Sequence, residues 1–214
     1  CFGFNPKGQV MATTLATSNT LLGLYQPKSQ SARIVSAVAV AFLGSLLITM
    51  AAKVNVPVWP VPVTLQSMAI AMIAGAFGFR MATATVGLYL AQGAAGIPVF
   101  AGAFAGAPYL FGPTGGFLIG FLVMAAIIGW LADRGAMRNV FSGFTAMLAG
   151  NVVMFVLGFV WLLTMAGQAT WIDQSNALVS AFQGAVQPFI VWDIVKMAFA
   201  ALTVVGGWSL LQRK

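Results

Sequence analysis

Long apolar stretches separated by short polar breaks run along most of the chain. Six of them are candidates for membrane-spanning helices: 34–52, 65–79, 81–97, 114–132, 143–166 and 186–210. A spanning helix needs about 20 mostly apolar residues, so the second and third stretches are short for this role. Only Arg80 separates those two, which predicts a tight helical hairpin with the charge at its tip. The pattern predicts an all-α integral membrane protein with six transmembrane helices.

The residues before the first stretch have a different character. Residues 1–32 are mostly polar and include Thr, Ser and Asn. We expect a flexible polar extension there, followed by a six-helix transmembrane domain over 33–212.

The composition excludes several classes of protein. Hydrophobic residues make up 60% of the chain, charged residues 6%, and the mean hydropathy is +0.96, whereas soluble domains carry about 25% charged residues. There is one Cys, no His, and only three acidic residues. These counts exclude disulfide scaffolds and His-dependent chemistry, and they disfavour hydrolysis by paired carboxylates. We therefore expect no catalytic residue, no metal site and no cofactor.

The basic residues indicate an orientation in the membrane. With a cytoplasmic N-terminus, eight of the ten fall on the inner side, Lys53 lies in an outer loop and Lys196 lies inside a span. Cytoplasmic loops carry an excess of Lys and Arg, so we expect both termini in the cytoplasm. Because the basic residues sit singly, the net charge of +7 does not indicate nucleic-acid binding. The eight inner residues are Lys7, Lys28, Arg33, Arg80, Arg134, Arg138, Arg213 and Lys214.

The outer loops are then 53–64, 98–113 and 167–185. The first contains Pro57, Pro60 and Pro62, which favour a stiff, extended segment. The second is apolar and rich in Gly. It either folds over a pocket as a lid or lies at the bilayer surface, and composition leaves both interpretations open.

Asp193 and Lys196 are the clearest polar groups inside a predicted span. They lie three residues apart, so they share one helix face. One interpretation is an ion pair that only satisfies itself. The other is a site for a small polar ligand, because intramembrane charges usually have a function. The Lys196 ammonium would bind a ligand carboxylate, and the Asp193 carboxylate would accept hydrogen bonds from ligand N–H groups.

Other polar or aromatic residues lie near the outer ends of the predicted helices. Gln66 opens the second span, and Tyr89 lies in the outer part of the third. Thr64 and Thr114 are placed for helix capping or for a ligand contact. Trp192 is a candidate pocket residue, although Trp near a span end is often an interface anchor.

The first span carries a row of small residues, Ala37, Ala41 and Ser45, at four-residue spacing. Such rows allow close helix approach, here either inside the chain or to a partner helix. No phosphate-binding loop follows the G-x-x-x-x-G-K-[ST] pattern. The chain is therefore predicted to be a binding subunit, or a carrier whose energy source is not visible in its sequence.

Four motifs carry a family resemblance. They are 60–66 (PVPVTLQ), 87–100 (Gly87-Leu-Tyr-Leu, Gly93 and Gly96-Ile-Pro-Val-Phe), 112–121 (GPTGGFLIGF) and Asp193-x-x-Lys196. Together, and in this order, they resemble the BioY family of biotin transporters over about residues 33–212. Phe117 departs from the Tyr expected in many relatives.

The resemblance implies the six-helix fold of the substrate-binding S components of energy-coupling factor transporters. It implies high-affinity biotin capture at the outer face of a prokaryotic cytoplasmic membrane. Implied partners are a transmembrane coupling subunit and two ATPase subunits, or further copies of the chain if it works alone.

The resemblance also implies roles for individual residues. Asp193 and Lys196 would meet the polar ends of biotin, with the assignment of carboxylate and ureido ring left open. The wall or lid of the ligand pocket would be formed by Gln66, Tyr89 and the turn 112–116, which includes Thr114 and Gly115. The small-residue row matches the surface that meets the coupling subunit.

Three alternatives remain. An S component for another vitamin, such as thiamine or riboflavin, would share the architecture. A membrane enzyme is disfavoured by the missing His and the few carboxylates. A purely structural membrane protein should tolerate losing both Asp193 and Lys196, whereas a binding protein should not.

Overall fold

The predicted spans form helices in the structure, a computed structural model. It describes residues 20–21, 23, 29–57, 61–102, 105–166 and 172–212. The helices are α1 Gln30–Lys53, α2 Gln66–Phe77, α3 Phe79–Ala94, α4 Ala107–Leu110, α5 Gly115–Asp133, α6 Val140–Met165, α7 Ala177–Ala185 and α8 Ile190–Gln212. Short 3-10 turns cover Ala136–Arg138, Gln174–Asn176 and Gln187–Phe189. Most of the extension 1–32 and the inner residues Lys7, Lys28, Arg213 and Lys214 lie outside the described residues.

The six predicted stretches correspond in order to α1, α2, α3, α5, α6 and α8. Within the described residues, four segments are long and apolar enough to cross a membrane: α1, α5, α6 and the run from α7 through α8. With 12 residues, α2 is about 18 Å long, against a hydrocarbon core of about 30 Å. The structure therefore supports a multi-pass membrane protein.

The first helix begins slightly earlier than expected. The Ser29 side chain caps α1 by accepting a hydrogen bond from the Ala32 N–H at 3.3 Å, so the helix starts at Gln30. Large apolar side chains cover much of its outer surface, and Val35, Val38 and Leu43 are each more than 60% exposed. An apolar surface of this extent is expected where a helix faces lipid.

The small-residue row on α1 is used mainly inside the chain. Ser45 is fully buried, Ala41 is 9% exposed, and only Ala37 is partly exposed. Next to Ser45, a Cβ at Gly44 would come within 2.6 Å of Thr85 Cγ2 on α3. Gly44, next to the row, therefore allows α1 to approach α3 closely.

Helix α5 lies at the centre of the bundle and packs against α2, α3 and α6. Its close approach to α6 depends on glycine, since a Cβ at Gly120 would lie 2.9 Å from the Met154 carbonyl oxygen. At the other end of α5, Asp133 Oδ2 accepts the Phe79 N–H at 3.2 Å and so caps α3.

The joint between α2 and α3 is Gly78, two residues before the predicted tip. Its φ of +79° is a conformation that glycine adopts without steric cost. Arg80 instead lies in the first turn of α3 and is exposed.

Two connections that were predicted to be outer loops contain regular secondary structure. Asn55–Val56 (β1) pairs antiparallel with Val63–Thr64 (β2), with Asn55 opposite Thr64. This hairpin brings the residues that lead into α2 next to the end of α1. The loop expected over 167–185 contains the nine-residue helix α7.

Candidate ligand-binding site

A buried ion pair lies in the first turns of α8. Lys196 Nζ is 3.0 Å from Asp193 Oδ1, and the two residues are 8% and 2% exposed. The three-residue spacing that predicted a shared face also sets this distance.

Ser67 on α2 completes the pair. Its hydroxyl donates to Asp193 Oδ1 at 2.6 Å and accepts from Lys196 Nζ at 3.0 Å. The ammonium also donates to the Thr64 carbonyl oxygen at 3.0 Å. A lysine ammonium has three donors, so the three partners Asp193, Ser67 and Thr64 use all of them.

Asp193 retains unused capacity. Its contacts within the described part of the chain all involve Oδ1, and Oδ2 accepts no hydrogen bond there. An ionised carboxylate can accept about four hydrogen bonds. Asp193 can therefore accept a ligand N–H without losing Ser67 or Lys196.

A chain of hydrogen bonds runs from this cluster toward the outer loops. The Thr64 hydroxyl donates to Gln66 Oε1 at 3.1 Å and accepts the Gln66 backbone N–H at 3.2 Å. Gln66 Nε2 donates to Tyr89 Oη at 2.8 Å, and Tyr89 donates to the Val99 carbonyl oxygen at 3.2 Å. Because buried polar groups are costly unless bonded, this chain fixes the side chains of Gln66 and Tyr89.

The cluster lines one side of a half-open cavity of about 50 Å³. Its other walls are mainly aliphatic and aromatic. The lining residues are Val61, Pro62, Thr64, Gln66, Ser67, Ala101, Tyr109, Thr114, Phe117, Leu118, Phe121, Met154, Phe155, Phe189, Asp193 and Lys196. One water needs at least about 10–15 Å³, so this volume holds only a few waters. Loops or side chains must move to admit a vitamin-sized ligand.

Two of the loops predicted to face outward border the cavity. Val61 and Pro62 come from the β1–β2 connection, and Ala101 and Tyr109 come from the loop 98–113. Of the two interpretations left open for 98–113, the position of these two residues favours folding over a pocket. Burial raises the pKa of Tyr109, partly opposed by the nearby Thr114 hydroxyl, so its phenol is a neutral group at physiological pH.

The structure brings together five of the eight ligand-site residues predicted from sequence. The five that line the cavity are Asp193, Lys196, Gln66, Thr64 and Thr114. Tyr89 lies behind Gln66. Gly115 lies at the start of α5, where a Cβ would overlap the Leu110 carbonyl oxygen. Trp192 is 63% exposed and does not line the cavity, because adjacent residues on a helix point about 100° apart.

Neither threonine is a side-chain N-cap. Thr64 precedes Leu65, the N-cap residue of α2, and its hydroxyl accepts the N–H of Gln66, the first residue of that helix. Thr114 occupies the N-cap position of α5 but makes no side-chain cap hydrogen bond. Its Oγ1 is buried and has no hydrogen-bond partner of standard geometry in the described part of the chain. It lies at the cavity wall beside the Tyr109 phenol, whose pKa it lowers.

Sequence reasoning missed Ser67 and the aromatic residues Phe155 and Phe189. Ser67 follows Gln66 directly in an otherwise apolar helix, and a hydroxyl at that depth was the available signal. Nothing in the sequence separates Phe155 and Phe189 from the chain's other Phe residues.

Comparison with known proteins identifies the family. The sequence profile described as the BioY family matches residues 20–213. The chain belongs to the BioY family. This BioY-family chain is 34% identical over 183 residues to the biotin transporter BioY2 of Lactococcus lactis, covering 86% of this chain and 93% of that protein. It is 36% identical over 157 residues to the biotin transporter BioY of Thermotoga maritima, covering 73% and 86%.

A solved structure supports the same assignment. The fold matches a crystal structure described as the S-component for biotin from an ECF-type ABC transporter, with a TM-score of 0.71 and 26% identity. The match covers 89% of this chain and 96% of that one. The BioY chain therefore has the S-component fold and belongs to a family of transport proteins rather than enzymes.

Proposed function

We propose that this protein captures biotin at the outer face of the membrane and delivers it inward. The observation that carries the proposal is the buried Asp193–Ser67–Lys196 cluster, which lines a cavity beneath two outer loops in a BioY-family chain. A scaffold has no need for a charged cluster facing a cavity at this depth, since burying charges is costly.

The hydrogen-bond inventory favours one orientation of biotin. Its ureido ring has two N–H donors, and Asp193 Oδ2 is an acceptor without a protein partner among the described residues. Lys196 already uses three donors on protein atoms. We therefore place the ureido ring at Asp193. The carboxylate end points toward the loops, where the Thr114 hydroxyl lines the cavity beside Tyr109.

The apolar walls suit the rest of the ligand. Phe155 packs edge-on to Phe117 with ring centroids 6.1 Å apart, and its ring is 5.9 Å from that of Phe189. These rings form a stiff wall for the fused ring system and aliphatic chain of biotin. Thiamine, which is a cation, would place its charge near the Lys196 ammonium.

We also propose six spans with both termini in the cytoplasm of a prokaryotic cell. Six helices in the order of the six apolar stretches support this topology. So does the placement of Arg80, Arg134 and Arg138 in the turns opposite to Lys53 along the bundle.

The proposed partners are a transmembrane coupling subunit and two ATPase subunits, or further copies of this chain. The exposed apolar surface of α1, with Ala37 at its edge, supports a helix–helix contact in the membrane.

The proposal is tested by equilibrium binding of radiolabelled biotin to the purified protein in detergent, with thiamine and riboflavin as competitors. We expect saturable binding that excess unlabelled biotin abolishes and the two other vitamins do not. Trp192→Phe, on the same helix but outside the cavity, is the matched control for site variants. Folded protein without biotin binding would contradict the proposal.

A further inference from the structure

Lys53 makes two long-range hydrogen bonds to the loop that covers the cavity. It is the last residue of α1, and its Nζ donates to the carbonyl oxygens of Phe100 at 2.8 Å and Gly102 at 2.6 Å. We propose that Lys53 is a positioning residue that holds the segment 99–102 over the ligand site and slows the release of biotin. This inference rests on the proposed function.

The segment 99–102 forms part of the cavity roof. Ala101 lines the cavity, and Val99, Phe100 and Ala101 are all buried. The Phe100 ring fits over Gly93, where a Cβ would overlap it. The same ring stacks on Tyr109 at 5.0 Å and meets Tyr89 edge-on at 5.6 Å. Displacing this segment would therefore open the cavity and unpack several aromatic contacts together.

The roof is held at both ends. At one end, the Tyr89 hydroxyl donates to the Val99 carbonyl oxygen and accepts a hydrogen bond from Gln66, which links it to the ligand cluster. Lys53 binds the two carbonyl oxygens that follow at Phe100 and Gly102. Hydrogen bonds from a charged donor are stronger than those between neutral groups. Although Lys53 is exposed, its two acceptors belong to one short stretch, so both bonds must break before the roof moves.

The alternative is that Lys53 is only a charge anchoring α1 at the membrane surface. An anchoring lysine extends its head into water and needs no fixed acceptors. The Phe100 and Gly102 carbonyls are fixed acceptors 47 and 49 residues away. The two roles separate experimentally, because only a roof contact changes ligand release.

The experiment compares Lys53→Met, which keeps the stem but removes the donors, with Lys53→Arg, which keeps the charge. Phe111→Leu is the control, since Phe111 lies in the same loop with its side chain 69% exposed. Each protein is loaded with radiolabelled biotin and chased with excess unlabelled biotin. We expect Lys53→Met to release biotin about tenfold faster, consistent with losing charge-assisted hydrogen bonds. The release rate of Lys53→Arg should lie between those of Lys53→Met and the original protein. The release rate of Phe111→Leu should equal that of the original protein.

A second measurement tests the contact without ligand. Amide hydrogen exchange of the peptide covering 97–102 should be about tenfold faster in Lys53→Met, while exchange of α5 stays unchanged. Unchanged exchange at 97–102, or release no faster than in Phe111→Leu, would overturn the role of Lys53. If the original protein bound no biotin, the proposed function would fail, and the exchange data would still decide whether Lys53 holds the loop.

Discussion

The Ser67 hydroxyl donates to Asp193 Oδ1 at 2.6 Å and so connects α2 to α8 across 126 residues of sequence. It also accepts a hydrogen bond from Lys196, so one small side chain sets the position of both charges. The ligand site is therefore a property of the α2–α8 contact rather than of α8 alone.

Lys196→Ala should weaken biotin binding at least tenfold. Removing one member of a buried ion pair leaves the other uncompensated, at a cost of about 3–5 kcal/mol. Equilibrium binding of radiolabelled biotin measures the loss, and circular dichroism checks that the variant is folded. Normal affinity in the folded variant would remove Lys196 from the site.

The double variant Asp193→Asn with Lys196→Met separates ligand binding from structure. Removing both charges together avoids an unpaired buried ion, so we expect a melting temperature nearer that of the original protein than in Lys196→Ala. Biotin binding should still be lost, because Asn offers one acceptor oxygen and no charge. A double variant that binds normally would favour a purely structural pair.

Ser67→Ala should destabilise the protein by about 1–3 kcal/mol, because Asp193 and Lys196 each lose a buried partner. Biotin affinity should fall as well. Ser36→Ala is the control, since the Ser36 hydroxyl only bonds the Arg33 carbonyl of its own helix. Melting temperature and biotin affinity are measured for both variants. If Ser67→Ala and Ser36→Ala lowered them equally, Ser67 would have no special role in the site.

Gly115→Ala should lower both the melting temperature and biotin affinity. A methyl group there overlaps the Leu110 carbonyl oxygen and would displace the turn that carries Thr114. Gly87→Ala is the control, because a Cβ at Gly87 meets nothing within 4 Å, and Ala stabilises a helix relative to Gly by about 0.5–1 kcal/mol. The melting temperature should therefore fall in Gly115→Ala and rise in Gly87→Ala.

Cysteine labelling tests the proposed topology. In a background without Cys1, Phe111→Cys should react with a membrane-impermeant maleimide from outside intact cells. Phe141→Cys, at the opposite end of the bundle and 76% exposed, should react only after the cells are opened. Labelling of Phe141→Cys in intact cells would contradict the proposed topology.

The helices and the ion pair could be predicted from sequence because both depend on local spacing. Runs of apolar residues predict spans wherever the surrounding solvent is lipid. Asp193 and Lys196 face the same way because both lie on one continuous helix. The same local geometry explains why Trp192, next to Asp193, lies outside the cavity. Sequence proximity to a site residue was a misleading guide there.

Contacts between distant segments could not be predicted in this way. Lys53 looked like an ordinary flanking charge, yet it binds the loop at Phe100 and Gly102. Thr114 occupies a capping position, yet its hydroxyl is not used as a cap. In both cases the surroundings of the side chain depend on how the helices and loops dock.

By itself, the sequence determined the all-helical membrane character of the protein, the order of its helices, the spacing of Asp193 and Lys196, and the BioY resemblance. Each follows from composition, periodicity or short motifs, which act over a few residues. Only the tertiary structure decided that Ser67 joins the ion pair, that Tyr89 donates to the Val99 carbonyl oxygen, and that Lys53 binds the segment 99–102. These contacts join segments far apart in the chain, and they form only when helix packing brings a donor to an acceptor that would otherwise lack a protein partner.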